Sequence, residues 1–199
     1  MNARWIAPLC AVLLGATAAA ASAQTTTYNG RFDDPANSAL VGSDLTAASF
    51  IDEFAFANNV AIYDLVVATA GTVSIQSTGF GEGGIDPYFT LFRGSDGTAT
   101  FLDSNYVQAF STGGDFTYSA SLGVGAYKIA LGVFANMSFA ENLGSGTLAD
   151  GFVALGEPGS LRDGHYQLVV STPVPEPSTW LLLAFGIGGL AMRQRRREA

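Results

Sequence analysis

The sequence predicts an all-β protein: a single antiparallel β-sandwich or jelly roll of about eight strands, flanked by an N-terminal signal peptide and a C-terminal transmembrane helix. Three observations carry that expectation. Twenty of the 149 residues from Gln24 to Thr172 are glycine, about 13% against an average near 7%. No long stretch of that body has the apolar spacing of a helix. Instead, short β-branched and aromatic runs are separated by glycine-rich turns at the intervals expected of a sandwich.

The chain divides into three parts: 1–23, 24–172 and 173–199. Met1 to Arg4 form a short cationic start, Ile6 to Leu14 an apolar run, and Ala19 to Gln24 a small-residue stretch. That order is a secretory signal peptide. Ala21 and Ala23 occupy the two positions a signal peptidase reads, so cleavage is expected after Ala23. Cys10 follows the bulky Leu9, where a lipid-attachment motif needs a small residue.

In the body, strands are expected over Phe50 to Phe56, Ala61 to Val67, Thr72 to Ser77, Tyr88 to Arg93, Thr98 to Asp103, Phe116 to Leu122, Ala126 to Val133 and Tyr166 to Ser171. Phe54, Phe56, Phe89, Leu91 and Phe101 fall at strand spacing and are expected mostly in the core. Two hairpins are legible. Gly94-Ser95-Asp96-Gly97 joins the fourth and fifth runs, its Asp-Gly supplying the positive φ of a tight turn. Gly123-Val124-Gly125 is expected to join the sixth and seventh in the same way. The connection from Phe134 to Gly164 is long, and loops of that length usually carry function or are mobile.

Charge and composition narrow the function. The body holds fifteen acidic residues against four basic ones, Arg31, Arg93, Lys128 and Arg162, for a formal charge of −11. Phosphate backbones and anionic membrane surfaces repel such a body, so nucleic acid is excluded as a partner. The one cysteine, Cys10, and both tryptophans, Trp5 and Trp180, lie outside it. Thiol chemistry and disulfides are therefore excluded there, and one histidine, His165, excludes multi-histidine metal sites.

After the body come Pro173-Val174-Pro175-Glu176-Pro177-Ser178-Thr179, the apolar run Trp180 to Met192, and the basic end with Arg193, Arg195, Arg196 and Arg197. The prolines fix φ and remove donors, which makes an extended spacer. As a helix the 13-residue run spans about 20 Å, short of a hydrocarbon core of about 30 Å. The four arginines act as a stop-transfer signal and sit in the cytoplasm by the positive-inside rule. The body then lies across the membrane.

This tail resembles the PEP-CTERM sorting signal of Gram-negative bacteria, on Val174, Pro175, Glu176 and Pro177, the glycine-bearing run Trp180 to Met192, and the arginines. The resemblance implies an exosortase that recognises the Pro-Glu-Pro motif and removes the helix and basic tail. It also implies an inner-membrane precursor, a mature form at the cell surface or outside the cell, and a host that makes extracellular polysaccharide. Within the body, Asp86-Pro87-Tyr88-Phe89-Thr90-Leu91-Phe92, the Asp96-Gly97 turn, Asp103-Ser104-Asn105 and Leu122 to Ile129 look like bacterial pre-peptidase C-terminal domains. That likeness implies a non-catalytic β-sandwich, and some such domains bind calcium.

Calcium is the one cofactor the acidic loops admit, through Asp86, Asp96, Asp103, Asn105 and Asp115, since the ion takes six to eight oxygen ligands. The same aspartates serve equally as turn residues bonding their own backbone. The chain has no Gly-x-Ser-x-Gly elbow to accompany His165, which reads more simply as a hydrogen-bonded residue at a strand end. Tyr88 and Tyr106 are candidate platforms for sugar rings. The expected role is a non-enzymatic surface or matrix protein associated with exopolysaccharide and matured by signal peptidase and exosortase. The alternatives are a calcium- or polysaccharide-binding module and, behind both, a secreted hydrolase of unrecognised type.

Overall fold

The computed structural model describes residues 23–34, 36–41, 59–105, 114–153, 155, 162–174 and 187. The chain divides into one unit running Ser22–Pro175 and another made of Met1–Ala21 and Glu176–Ala199. Of the second unit only Ile187 is described, and it is exposed. Apart from Ala23 and Ile187, the signal peptide, the apolar run of the tail, and the strand expected over Phe50 to Phe56 with Phe54 and Phe56 lie outside the described residues.

Among the described residues of the body there are eight strands: β1 (Gln24–Arg31), β2 (Ala61–Val67), β3 (Gly71–Thr78), β4 (Tyr88–Arg93), β5 (Thr100–Ser104), β6 (Thr117–Leu122), β7 (Gly125–Gly132) and β8 (His165–Thr172). They make two antiparallel four-stranded sheets, sheet A in the order β1-β8-β3-β6 and sheet B in the order β2-β7-β4-β5. Strands β2 to β8 fall where the β-branched and aromatic runs place them. β1 is additional, because Gln24-Thr25-Thr26-Thr27-Tyr28 has no apolar alternation to announce it. Its first four residues are exposed on both faces of the sheet.

The sheets pack face to face through alternate residues. Val73 and Ile75 of β3, Phe89 and Leu91 of β4, Ile129 and Leu131 of β7, and Leu168 and Val170 of β8 all point into one core. Phe89 lies at its centre, 4.8 Å from the Phe116 ring and 4.9 Å from that of Tyr118 between centroids. Each such side chain contributes about 1.5–3 kcal/mol through its burial.

The first expected hairpin is present: β4 and β5 pair antiparallel, with a bulge between Leu91 and Phe92. Asp96 shapes its turn by accepting the Thr98 amide at 2.8 Å and the Thr98 hydroxyl at 2.7 Å. The second is not a hairpin. β6 pairs with β3 in sheet A, while β7 pairs with β2 and β4 in sheet B. Gly123-Val124 therefore carries the chain from one sheet to the other, and the Tyr127 hydroxyl fastens the crossing by donating to the Gly123 carbonyl at 2.8 Å. Two connecting residues normally return a strand beside itself. Here the neighbours each strand finds elsewhere in the sheets override that local preference.

The described part of the long connection after β7 is packed. A short helix, α1 (Phe139–Asn142), lies on the outer face of sheet B. Ala140, Leu148, Phe152 and Leu155 close a second core there with Ile62, Phe92 and Ala130. Phe101 belongs to this second cluster, half-buried, and not to the main core.

Glu141 joins α1 to β4. Its carboxylate accepts the Tyr88 hydroxyl and, at 2.8 Å, the Thr90 hydroxyl. Ser138 caps the helix by accepting the Glu141 amide at 3.1 Å. Thr90 is 2% exposed, so removing the carboxylate strands a buried hydroxyl, at a cost of about 1–3 kcal/mol. Glu141→Ala is expected to destabilise the body by that amount and to speed amide exchange selectively over residues 138–152; an exchange pattern unchanged in that segment would contradict the assignment.

Candidate functional site

A cleft of about 550 Å³ opens where the ends of β1, β3 and β8 meet. Its polar lining comes from strand residues that point away from the core. Asn29 pairs with Gln167, and Gln167 with Thr78, in the strand registers. The side chains follow the same row: the Thr78 hydroxyl donates to Gln167 Oε1 at 2.7 Å, and Gln167 Nε2 donates to Asn29 Oδ1 at 2.8 Å. A three-strand chain of uncharged amides and hydroxyl thus floors the cleft.

Charge gathers at its rim. The Arg31 guanidinium grips Asp33 with two hydrogen bonds, both 2.8 Å, and donates a third to the Asp163 carbonyl at 2.6 Å. Asp163 in turn accepts the His165 backbone amide at 3.1 Å and bonds His165 Nδ1. The other ring nitrogen turns toward the 79–84 turn, where only glycine fits. A Cβ on Gly84 would stand 2.7 Å from the His165 carbonyl oxygen and 2.9 Å from His165 Nε2. Arg162 fastens the same turn, donating to the Phe80 carbonyl at 2.7 Å with its guanidinium 4.4 Å above the Phe80 ring.

These bonds shift the groups that make them. Hydrogen bonds from Arg31 hold the Asp33 carboxyl below its ordinary value of 3.8, and the Asp33 partner raises Arg31. Asp163 is lowered chiefly by the His165 amide. A carboxyl whose folded pKa is depressed stabilises the fold fully above its unfolded value, and that contribution fades as the pH falls through the folded value. Asp163 is exposed and Asp33 partly so, and screening keeps the effect local. As the pH falls below about 4 the amides of Gly164 and His165 are expected to lose protection while those of β4 and β7 keep theirs. Uniform protection across that range would show that the rim pairs hold nothing in place.

Behind the cleft, tyrosines knit the two sheets. The Tyr63 and Tyr166 hydroxyls are 2.8 Å apart, Asn37 Nδ2 donates to Tyr166 at 2.7 Å, and Tyr28 stacks on Tyr63 at 4.3 Å. Burial pushes the Tyr63 hydroxyl well above the usual range.

The five acidic-loop candidates are not gathered into one group. Asp96 sits in the β4–β5 turn, Asp86 and Asn105 lie at the opposite ends of those strands, and Asp115 precedes β6. Each is already engaged: Asp86 by the Gly114 amide, Asn105 by the Phe89 amide, Asp115 by the Phe80 amide. Asp103 accepts the Ser104 amide and, at 2.9 Å, the Tyr118 hydroxyl. Among the described residues no group of three His, Cys, Asp or Glu is placed to hold a metal ion.

Tyr88 is not a sugar platform. It is 5% exposed, its hydroxyl is bonded to Glu141 and its ring lies edge-on to Phe134. Tyr106 lies outside the described residues, as do Ala21, Pro175, Glu176, Pro177, Arg193, Arg195, Arg196 and Arg197; Val174 follows the end of β8. His165 opens β8, as its position before a β-rich run implies. The short spacings Arg31 to Asp33 and Asp163 to His165 each let one turn close on itself.

Among known families, residues 173–197 match the PEP-CTERM protein-sorting motif. No curated protein matches the chain. The matched stretch is 25 of the 199 residues, so it speaks for the tail and leaves the body to its own structure.

Proposed function

We propose that the body is a non-enzymatic module of the cell surface or extracellular matrix, delivered there by its own tail. The sorting motif at 173–197 carries this reading: it indicates an exported, membrane-anchored precursor that an exosortase processes. The body supports it. Two four-stranded sheets sharing one core suit the likeness to pre-peptidase C-terminal domains, which are non-catalytic.

A second reading has one observation in its favour. The row Asn29, Gln167 and Thr78 offers uncharged donors and acceptors to a hydroxyl-rich ligand, which makes the cleft a candidate polysaccharide site. Titration with the host's own exopolysaccharide, comparing wild type with Gln167→Ala, distinguishes that module from a protein that only occupies the matrix.

The maturation reading is tested by intact mass. Protein recovered from the cell surface is expected to begin near Gln24 and to end near Pro177, having lost both tryptophans. A mass that still includes Trp180 to Ala199 would overturn tail removal and leave an ordinary membrane anchor.

A further inference from the structure

Sheet A ends in two open edges, β1 on one side and β6 on the other. Natural proteins blunt such edges with lysine, proline, inward-pointing charge or a covering segment. Among the described residues neither edge of sheet A has those devices. β1 carries one charge, Arg31 at its end, and β6, Thr117-Tyr118-Ser119-Ala120-Ser121-Leu122, carries none. Among the described residues the outer backbone of both is uncovered, apart from the Arg31 carbonyl, which Asn37 Nδ2 takes at 3.0 Å.

Sheet B is treated differently. Val41 and Ala39 bond the Val60 carbonyl and the Ile62 amide, both at 2.7 Å, and cover the start of β2. Gly146 and Leu148 bond Phe101 and Ala99 at 3.0 and 2.8 Å and cover the start of β5, whose ladder is also broken by the bulge. The contrast extends to charge. The outward positions of sheet A are Thr, Ser, Asn and Gln with Val169, His165 and Arg31, and they include no carboxylate. That is notable in a body of formal charge −11.

Strand direction decides what fits there. Every neighbouring pair in sheet A is antiparallel, and four strands make β1 and β6 run in opposite directions. A second copy in the same orientation therefore brings its β1 antiparallel to β6 of the first. We infer that sheet A continues from copy to copy, β6 of one molecule pairing with β1 of the next. Such a head-to-tail contact leaves one free edge at each end and so grows without closing unless its rotation completes a ring. With strands about 4.8 Å apart, each copy adds about 19 Å, and strand twist turns the array into a helical ribbon. Repulsion between acidic bodies opposes growth, and salt relieves it.

The test uses exported protein recovered from its host, followed by sedimentation over a range of concentrations and by electron microscopy. Species larger than dimers are expected, ending in ribbons and favoured by about 0.15 M salt over low salt. Amide protection is expected to rise in 24–30 and 117–122 on assembly. Two variants read the pairing directly. Thr25→Lys and Thr27→Lys combined with Ser119→Lys and Ser121→Lys set like charges across the contact, and should raise the concentration needed for assembly about tenfold. The same β1 lysines with Ser119→Glu and Ser121→Glu set opposite charges across it and should assemble at least as readily as wild type. All four positions face solvent or lie at the open edge, so both variants place the same demand on the fold. A wild-type protein that stays monomeric throughout overturns the inference. So does a dimer weakened equally by both variants, which would be one edge pairing with the same edge of a second copy, or an assembly that neither variant alters.

Discussion

Phe89→Ala is expected to destabilise the body by about 3–5 kcal/mol, a large part of the 5–15 kcal/mol that holds an ordinary domain together. Phe89 is fully buried between the sheets and touches both Phe116 and Tyr118, which belong to the start of β6 and the segment before it. Truncation leaves a void that neighbours on two different sheets cannot collapse to fill, because each is held by its own ladder. Urea unfolding measures it: the midpoint should fall sharply with the slope unchanged. Val66→Ala is the control. Val66 is 70% exposed, and its loss should stay within about 0.5 kcal/mol. Equal effects at the two sites would mean that Phe89 is not at the centre of the core.

The second large effect is expected in the tail, where two substitutions should fail differently. Glu176→Ala removes the one charged group of the Pro-Glu-Pro motif and leaves the apolar run and the arginines intact. Full-length precursor should accumulate in the membrane. Replacing Arg193, Arg195, Arg196 and Arg197 by Gln takes away the charges that resist translocation. The apolar run is some 10 Å shorter than a typical hydrocarbon core, and mismatch costs only fractions of a kcal/mol per Å. The arginines therefore supply most of the stop. That variant should release full-length precursor into the periplasm. Processing of both like wild type would mean that the matched residues do not act as a sorting signal in this chain.

Most strands were legible because the period-2 burial of residues such as Val73 and Ile75 or Ile129 and Leu131 follows directly from a half-buried sheet. β1 was not, since an edge strand exposed on both faces needs no alternation and Thr-rich sequence also suits a linker. The partition of strands between sheets was hidden for another reason. Gly123-Val124 is compatible with a tight return or with a crossing, and only the distant partners, β3 for β6 and β2 with β4 for β7, decide between them. The tail could be read residue by residue because its logic is linear: spacer, apolar run, positive charge. The cleft could not, because Asn29, Thr78 and Gln167 lie far apart in the chain and become neighbours only through the registers of β1, β3 and β8.

One of those registers bears on when the protein can fold. β8 is the last strand of the body, yet it occupies the interior of sheet A, with β1 on one side and β3 on the other. Without it, β1 has no partner and β3 keeps only β6. Sheet B, by contrast, has all four of its strands once β7 has been made. Sheet A must wait until His165 to Thr172 have emerged, and then close a pairing between Gln24 and Thr172, the slow, non-local kind of step in strand assembly. The spacer and apolar tail begin at the next residue. If the tail halts translocation as proposed, it does so as the final strand becomes available, and a chain broken off before His165 cannot complete the sheet. A finished body then marks a chain made at least as far as Thr172.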